Sequence, residues 1–149
     1  MSDTRFGQTP IESTVTLIAR VLLSALFIWA GWNKLLAASG TIAYFGQIGL
    51  PVSVAAYVVT VVVELGGGLL LLAGFATRPV AVVLGVWCIL TALVAHTNFA
   101  DQNMEIHFLK NVAMAGGFAS LAVLGGGGYS VDALLRRRSG VSATVAPPR

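Results

Sequence analysis

Glu64 lies within VAAYVVTVVVELGGGLLLLAGF, an otherwise uncharged apolar run. A hydrocarbon core of about 30 Å takes roughly 20 residues of apolar helix, so this run is long enough to cross a bilayer. Glu64 comes thirteen positions after Pro51 and eleven before Phe75, which puts it near mid-membrane. An ionised carboxylate there costs about 3 kcal/mol even on mild insertion scales, so it has to be paired, wet or protonated. An intramembrane carboxylate is by default a functional-site hypothesis.

Composition agrees with a membrane chain. Of 149 residues, 56% are hydrophobic and only 10% charged, against about 25% charged in a soluble domain. The mean hydropathy is +0.85. One domain is the natural count at this length. Cys88 is the only cysteine, which excludes an intramolecular disulfide and a Cys-x-x-Cys pair. The formal charge of +3 is concentrated in Arg136, Arg137 and Arg138, beside the last apolar run. It reads as an orientation signal and not as a nucleic-acid surface.

Four apolar runs predict an all-α integral membrane four-helix bundle, with spans at about residues 15–35, 52–75, 79–97 and 107–125. The runs are continuous rather than alternating, which favours helices over barrel strands. Residues 37–51 are too polar and too short to span. Ile42, Tyr44, Phe45 and Ile48 give them one apolar face, so a short interfacial helix is expected between the first and second spans, ended by Gly49-Leu50-Pro51. FATRP at 75–79 is a tight link, and TNFADQNMEI at 97–106 is a polar, acidic loop. This gives an N-terminal tail (1–14), a transmembrane domain (15–132) and a basic C-terminal tail (133–149) of disorder-prone composition from Ser139.

An even number of spans puts both ends on one side. Arg5, Arg78, Arg136, Arg137 and Arg138 share that side, and Lys34 and Lys110 lie towards the other. The positive-inside rule makes both termini cytoplasmic. A cleaved signal peptide ending at Ala37-Ala38-Ser39 is the rival reading of residues 1–39. Arg20 within the apolar run, and Trp29, Trp32, Asn33 and Lys34 before the site, argue against it.

Helical spacing places Arg20, Ser24, Phe27, Gly31 and Lys34 on one stripe of the first span. Arg20 and Lys34 are about 21 Å apart along it, and the simplest reading of each is snorkelling to the headgroups. Glu64 shares its face with Tyr57, Thr60, Gly67, Gly68 and Leu71. Gly31, Gly67 and Gly68 are helix-packing candidates, since small residues let helices approach. A purely structural Glu64 would pair with Arg20 or Lys110 and hold helices together. His107, Lys110 and Asn111 open the fourth span and His96 ends the third. Together they permit a polar pocket in the outer half, with Glu64 at its floor. No metal site is expected: two histidines with Asp101 and Glu105 nearby lack a close pair or a cysteine partner. Cys88 reads as a small buried hydrophobe, and Trp29, Trp32 and Trp87 as packing or interfacial anchors. Gly125 to Gly128 follows a helix and lacks a Lys-Ser/Thr, so it is no phosphate loop.

The ordered pieces RVLLSALFIWAGWNKLL, TIAYFGQIGLP, VVVELGGGLLLLAGFATRPVAVVL, AHTNF and HFLKNVAMAGGFASLAVLGGGGYSVD resemble the DoxX family of small bacterial membrane proteins over about residues 16–132. The specific elements are Arg20, Gly31 with Lys34, Glu64 with Gly67 and Gly68, and Lys110 with Asn111. The resemblance implies a four-helix inner-membrane bundle associated with redox systems, some members being linked to thiosulfate:quinone oxidoreductase and others to oxidative-stress assemblies. On that reading the chain is an accessory or catalytic subunit that meets quinone or a small sulfur or oxygen-stress substrate. Glu64 exchanges protons as the catalytic group. His96, Lys110 and Asn111 orient a polar head group, with His107 beside them, and Arg20 and Lys34 neutralise charge or contact partners. A lone Cys88 speaks against a thiol relay. Membrane lipid, a protein partner in a redox complex and a homo-oligomer are the expected associations, and nucleic acid is not. Two rivals stand beside this: a non-enzymatic scaffold whose arginines meet anionic lipid or a soluble partner, and a small proton-coupled carrier, for which the chain shows no inverted repeat.

Overall fold

The computed structural model describes residues 9–144. Residues 1–8, with Arg5, and 145–149 of the two expected tails lie outside the described residues. Helix α1 (Pro10–Leu36) begins earlier than its apolar pattern suggests, because Thr9 and Glu12 form a reciprocal capping box and Pro10 occupies the first turn. Thr9 Oγ1 accepts from the Glu12 N–H at 3.2 Å, and Glu12 Oε2 accepts from the Thr9 N–H at 2.8 Å. The buried stripe of α1 is Ser13, Thr16, Arg20, Ser24, Phe27 and Gly31.

The chain breaks at Ala37 and restarts as the ten-residue helix α2 (Ala38–Gln47). This is the short helix expected between the first two spans. Only Phe45 is buried on it, which is compatible with a seat at the membrane interface. Gly49, at φ 78°, turns the chain into Pro51.

Helix α3 (Ser53–Ala73) is the second span. It carries a π turn over Val62–Gly66 with Glu64 in its middle. Helix α4 (Thr77–Ala95) and helix α5 (Gln102–Leu124) follow. Four helices of the described chain, α1, α3, α4 and α5, are thus long and apolar enough to cross a membrane. Their outward faces carry exposed Leu, Val, Ile and Trp side chains, as a lipid-facing surface does.

α4 and α5 form the most extensive pair, and α1 packs along α3. The shared core is Phe27, Leu71, Ala81, Leu84, Cys88, Phe118 and Leu121. Phe27 and Phe118 meet edge to face at 5.4 Å between ring centroids, joining α1 to α5.

The four glycines after α5 do not act as a linker. Gly125, Gly126 and Gly127 are buried and strap the end of the bundle. A sixth helix, α6 (Val131–Thr144), then runs through residues that composition assigned to a tail. Its start is local chemistry: Ser130 Oγ accepts from the Ala133 N–H at 3.1 Å, an N-cap bond.

Candidate functional site

The polar side chains of the bundle fall into two assemblies. One lies at the end where α1 begins and α5 stops, the other towards the end where α1 stops. The layer of Phe27, Leu84 and Phe118 belongs to the apolar core between them.

The first assembly is built on Arg20, which is 1% exposed. Helix α3 ends in a left-handed Gly74 at φ 68°, with Gly74 N–H donating to Leu71 O and Phe75 N–H to Leu70 O, both at 3.0 Å. That pattern is a Schellman cap. Arg20 completes it. Its Nε donates to Leu71 O at 2.9 Å and its Nη2 to Leu72 O at 2.6 Å. Its Nη1 donates to Gly126 O at 2.6 Å and to Tyr129 O at 2.9 Å. A Cβ on Gly74 would sit 2.7 Å from Arg20 Cζ, so the glycine is needed for space as well as for its φ.

Asp132 mirrors Arg20 across this knot. Its Oδ1 accepts from the Ala76 N–H at 2.8 Å and its Oδ2 from the Thr77 N–H at 2.9 Å, while its own N–H donates to Gly74 O at 3.0 Å. A residue from the start of α6 thereby caps α4 and holds Ala76 in a left-handed conformation at φ 47°. Burial pushes the Asp132 carboxyl up. The Thr77 N–H and neighbouring hydroxyl, the Ala76 N–H and the Arg136 charge outweigh burial and bring it below the ordinary value.

Arg20 therefore neither snorkels nor joins the other polar cluster. The fork of a guanidinium suits orphan carbonyls at a helix end, and Arg20 finds them one turn inside the boundary. Asp132 escaped the sequence reading because it caps a helix that lies 55 residues away along the chain.

The second assembly centres on Glu64, 7% exposed. Lys34 Nζ donates to Glu64 Oε2 at 2.6 Å. The partner is Lys34, not the Arg20 or Lys110 expected for a structural carboxylate. Backbone approach explains this. A Cβ on Gly31 would lie 2.7 Å from Leu65 N, so α1 and α3 touch there backbone to backbone. Lys34 is one turn further along α1 and reaches across. Gly68 packs against Ile28 and Phe27, and Gly67 against Leu84. From Glu64 to Leu71, where Arg20 binds, is about 10 Å of helix.

Helix α4 supplies the wall behind this pair. Cys88 is fully buried and its sulfur lies within electrostatic reach of Glu64. Trp87 Nε1 is buried and finds no hydrogen-bond partner among the described residues. Thr91 Oγ1 donates to Asn111 Oδ1 at 3.1 Å, linking α4 to α5. His96 and His107 stack with ring centroids 5.2 Å apart. Nδ1 of His96 is buried and has no hydrogen-bond partner among the described residues. Burial first, then the His107 and Lys34 charges, push the His96 imidazole below its ordinary value, against a raising contribution from Ala95. Lys34 and His96 are thus electrostatic neighbours.

Of the residues singled out in sequence, Glu64 and Lys34 meet directly, and His96 and His107 stack on one another with His96 within electrostatic reach of Lys34. Asn111 bonds Thr91 on α4 and the His107 carbonyl on its own helix. Lys110 is exposed on α5 and is not drawn into the cluster. Among the described residues no group of three or more His, Cys, Asp or Glu side chains gathers as a metal site. A separate cavity of about 500 Å³, lined by Ala81, Gly85, Ile89, Ala115 and Ala119 among others, opens between α4 and α5 and is almost wholly apolar. Trp87 and Thr91 carried the weakest sequence signal, since an aromatic and a threonine in an apolar run usually pack.

The DoxX family model matches residues 15–97, more than half of the chain. The chain belongs to the DoxX family. The matched segment holds Arg20, Gly31, Lys34, Glu64 and His96, whereas His107, Asn111 and Asp132 lie beyond it. Over 128 residues the chain is 40% identical to "Inner membrane protein YqjF" of Escherichia coli (strain K12), covering 86% of this chain and 97% of that one. "Inner membrane protein YphA" of the same organism is 36% identical over 121 residues, 78% of this chain and 86% of that one. "Putative oxidoreductase CatD" of Bacillus subtilis (strain 168) is 46% identical over 68 residues, 46% of this chain and 49% of that one. No solved structure matches the chain. With four spanning helices and inner-membrane relatives, this DoxX protein is a multi-pass inner-membrane protein whose outer surface meets lipid.

Proposed function

We propose that this DoxX protein is a subunit of a membrane redox system, and that the Lys34–Glu64 assembly receives the polar head of a quinone or a small oxidised substrate. The observation that carries the reading is a buried Glu64 carboxylate paired with a half-buried Lys34, together with a buried, unpartnered Trp87 N–H on the neighbouring helix α4. An orphan buried donor is rare and calls for an acceptor. A quinone carbonyl is a suitable acceptor, and so is an oxygen of a small sulfur oxyanion. Quinone reduction takes up two electrons and two protons. The electrons would come from a partner subunit of the redox system, while the Lys34 N–H donated to Glu64 puts a polar, hydrogen-bonding pair where the head would sit. The π turn favours the reading too, because such turns recur at functional sites. The likeness to a protein named as a putative oxidoreductase, over 68 residues, points the same way.

The chain is oriented, on this reading, with both termini in the cytoplasm. Arg78, Arg136, Arg137 and Arg138 crowd the end where α1 begins, and Lys110 lies at the other.

The test is native mass spectrometry of the gently purified protein with decylubiquinone and with thiosulfate, beside Glu64→Gln and Trp87→Phe. Trp87→Phe removes the N–H and keeps most of the ring volume. The expected result is a bound quinone or oxyanion in the wild type, weakened at least about tenfold by each change, as loss of a bond to a buried donor predicts. Wild-type protein that binds neither probe, or variants that bind as well as wild type, would reject it.

A further inference from the structure

At the Arg20 end, away from the proposed redox assembly, a cavity of about 360 Å³ is lined by Ala73, Tyr129, Ser130, Val131, Leu134 and Arg137 together with Gly128. We infer that it is a binding site for the phosphate headgroup of an anionic phospholipid.

Depth is the first argument. Ala73 is the last residue of the α3 span, so the cavity opens where the hydrocarbon core ends and headgroups begin. Tyr129 at its rim is 56% exposed, the position of an interfacial aromatic with an apolar ring and a polar tip.

Charge is the second. The two ionised groups behind the cavity, Arg20 and Asp132, offset one another. Arg20 spends its donors on four backbone carbonyls, and Asp132 is held by the Ala76 and Thr77 N–H groups. Arg136 lies within electrostatic reach of Asp132. Arg137 is left as the charge that lines the cavity, with Arg138 next to it in sequence. The first turn of α6 adds the positive end of its dipole. An anion is the complementary ligand, and a guanidinium binds phosphate oxygens with a fixed fork.

Shape is the third. Leu134 lines the cavity beside Arg137 and is 48% exposed, and Leu135 is 45% exposed. A helix that shows leucines and arginines together just past a span fits the boundary between acyl chains and headgroups. A soluble phosphate has no use for those leucines, whereas a phospholipid presents its glycerol and acyl carbons to them.

A site differs measurably from a diffuse basic patch. Each arginine near an anionic surface contributes about a fivefold gain in affinity through the field alone. A hydrogen-bonded guanidinium–phosphate contact contributes at least about tenfold. Arg137→Gln should therefore weaken binding more than Arg136→Gln or Arg138→Gln.

The experiment is native mass spectrometry of the full-length protein in detergent, titrated with dioleoylphosphatidylglycerol or dioleoylphosphatidylcholine. Wild type and the three glutamine variants are compared, and thermal unfolding checks that each variant is folded. Phosphatidylglycerol should be retained at least about tenfold better than phosphatidylcholine, and Arg137→Gln should abolish that preference while Arg137→Lys restores part of it. Equal retention of both lipids, or equal loss in all three glutamine variants, overturns the site. Displacement of phosphatidylglycerol by millimolar inorganic phosphate overturns the lipid assignment in favour of a soluble phosphate ligand.

Discussion

Lys34 and Glu64 are 30 residues apart in sequence and 2.6 Å apart in space, and they meet at the crossing where α1 and α3 touch backbone to backbone. The pair is only partly covered on the lysine side: the Lys34 side chain is 29% exposed and that of Glu64 is 9% exposed. Removing one partner of a buried pair costs about 3–5 kcal/mol, much of it from the charge left behind. Lys34→Met strands the carboxylate and should approach the lower end of that range. Glu64→Gln leaves a lysine that can still reach water and should cost less. The double variant should recover part of the loss. Thermal unfolding in detergent across this double-mutant cycle measures the coupling, and strictly additive losses would show that the two groups do not sustain each other.

Gly31 and Gly116 make a matched comparison. Both are helical glycines in spans, but a Cβ on Gly31 meets Leu65 N at 2.7 Å whereas one on Gly116 meets nothing within 4 Å. Backbone cannot give way as a side-chain tip can. Gly31→Ala should destabilise by about 1–3 kcal/mol through overpacking and should loosen the Lys34–Glu64 bond. Gly116→Ala should be neutral or stabilising by up to about 1 kcal/mol. The same unfolding assay on both variants reads the contrast directly.

The contrast also shows what the sequence carries. Apolar run length alone marks all four spans, and Glu64 stands out because nothing else charged shares its run. The order Gly31, Lys34, Glu64, Gly67 is visible in the chain, but the identity of the Glu64 partner is not. Pairing depends on which backbones touch, and that depends on a single Cβ absent at Gly31. Arg20 was harder still. Its partners are carbonyls, which every residue has, so no residue type announces them. Asp132 is exposed to the same difficulty, as its acceptor role is completed by two backbone N–H groups across a left-handed Ala76. The start of α1 within the expected N-terminal tail, and the start of α6 just ahead of the expected C-terminal tail that it runs into, are local capping chemistry that hydrophobic periodicity does not register.

Arg20→Lys tests whether geometry or charge matters at the α3 terminus. Lysine keeps the charge and loses the fork, so it cannot serve four carbonyls converging from α3 and the glycine strap. Each buried carbonyl left without a donor costs about 1–3 kcal/mol. Arg20→Lys should therefore destabilise by about 3 kcal/mol or more, close to the effect of Arg20→Met. If lysine matched wild type in thermal unfolding, the charge alone would be holding the end of α3.

Asp132 ties acid stability to the same knot. Its folded-state pKa lies below the ordinary carboxylate value of 3.8. A depressed carboxyl contributes stability that is fully present above the unfolded value and is lost as pH falls through the folded one. Wild-type stability should hold from neutral pH down to about 4 and then decline below it. Asp132→Asn keeps one acceptor oxygen and loses the charge, so it should be weaker at neutral pH by about 0.5–2 kcal/mol, the scale of a helix cap, and flatter in acid. Unfolding midpoints of the two proteins between pH 3 and pH 7 should converge at the acid end.

His96 reports on the charge of Lys34 from outside the spans. Its imidazole titrates below its ordinary value of 6.5 because of burial, of His107 and, to a lesser degree, of Lys34, with Ala95 opposing. A base with a lowered folded pKa binds its proton more readily in the unfolded chain. His96 therefore contributes stability above about pH 6.5 that fades as pH falls through its folded value. Lys34→Met removes one of the repelling charges, so the His96 ring resonances followed by NMR should titrate at higher pH than in wild type. His107→Phe keeps a stacked ring, removes the larger repelling charge, and should move His96 further in the same direction. An unmoved titration in Lys34→Met would separate His96 from the Lys34–Glu64 pair and split the polar assembly in two.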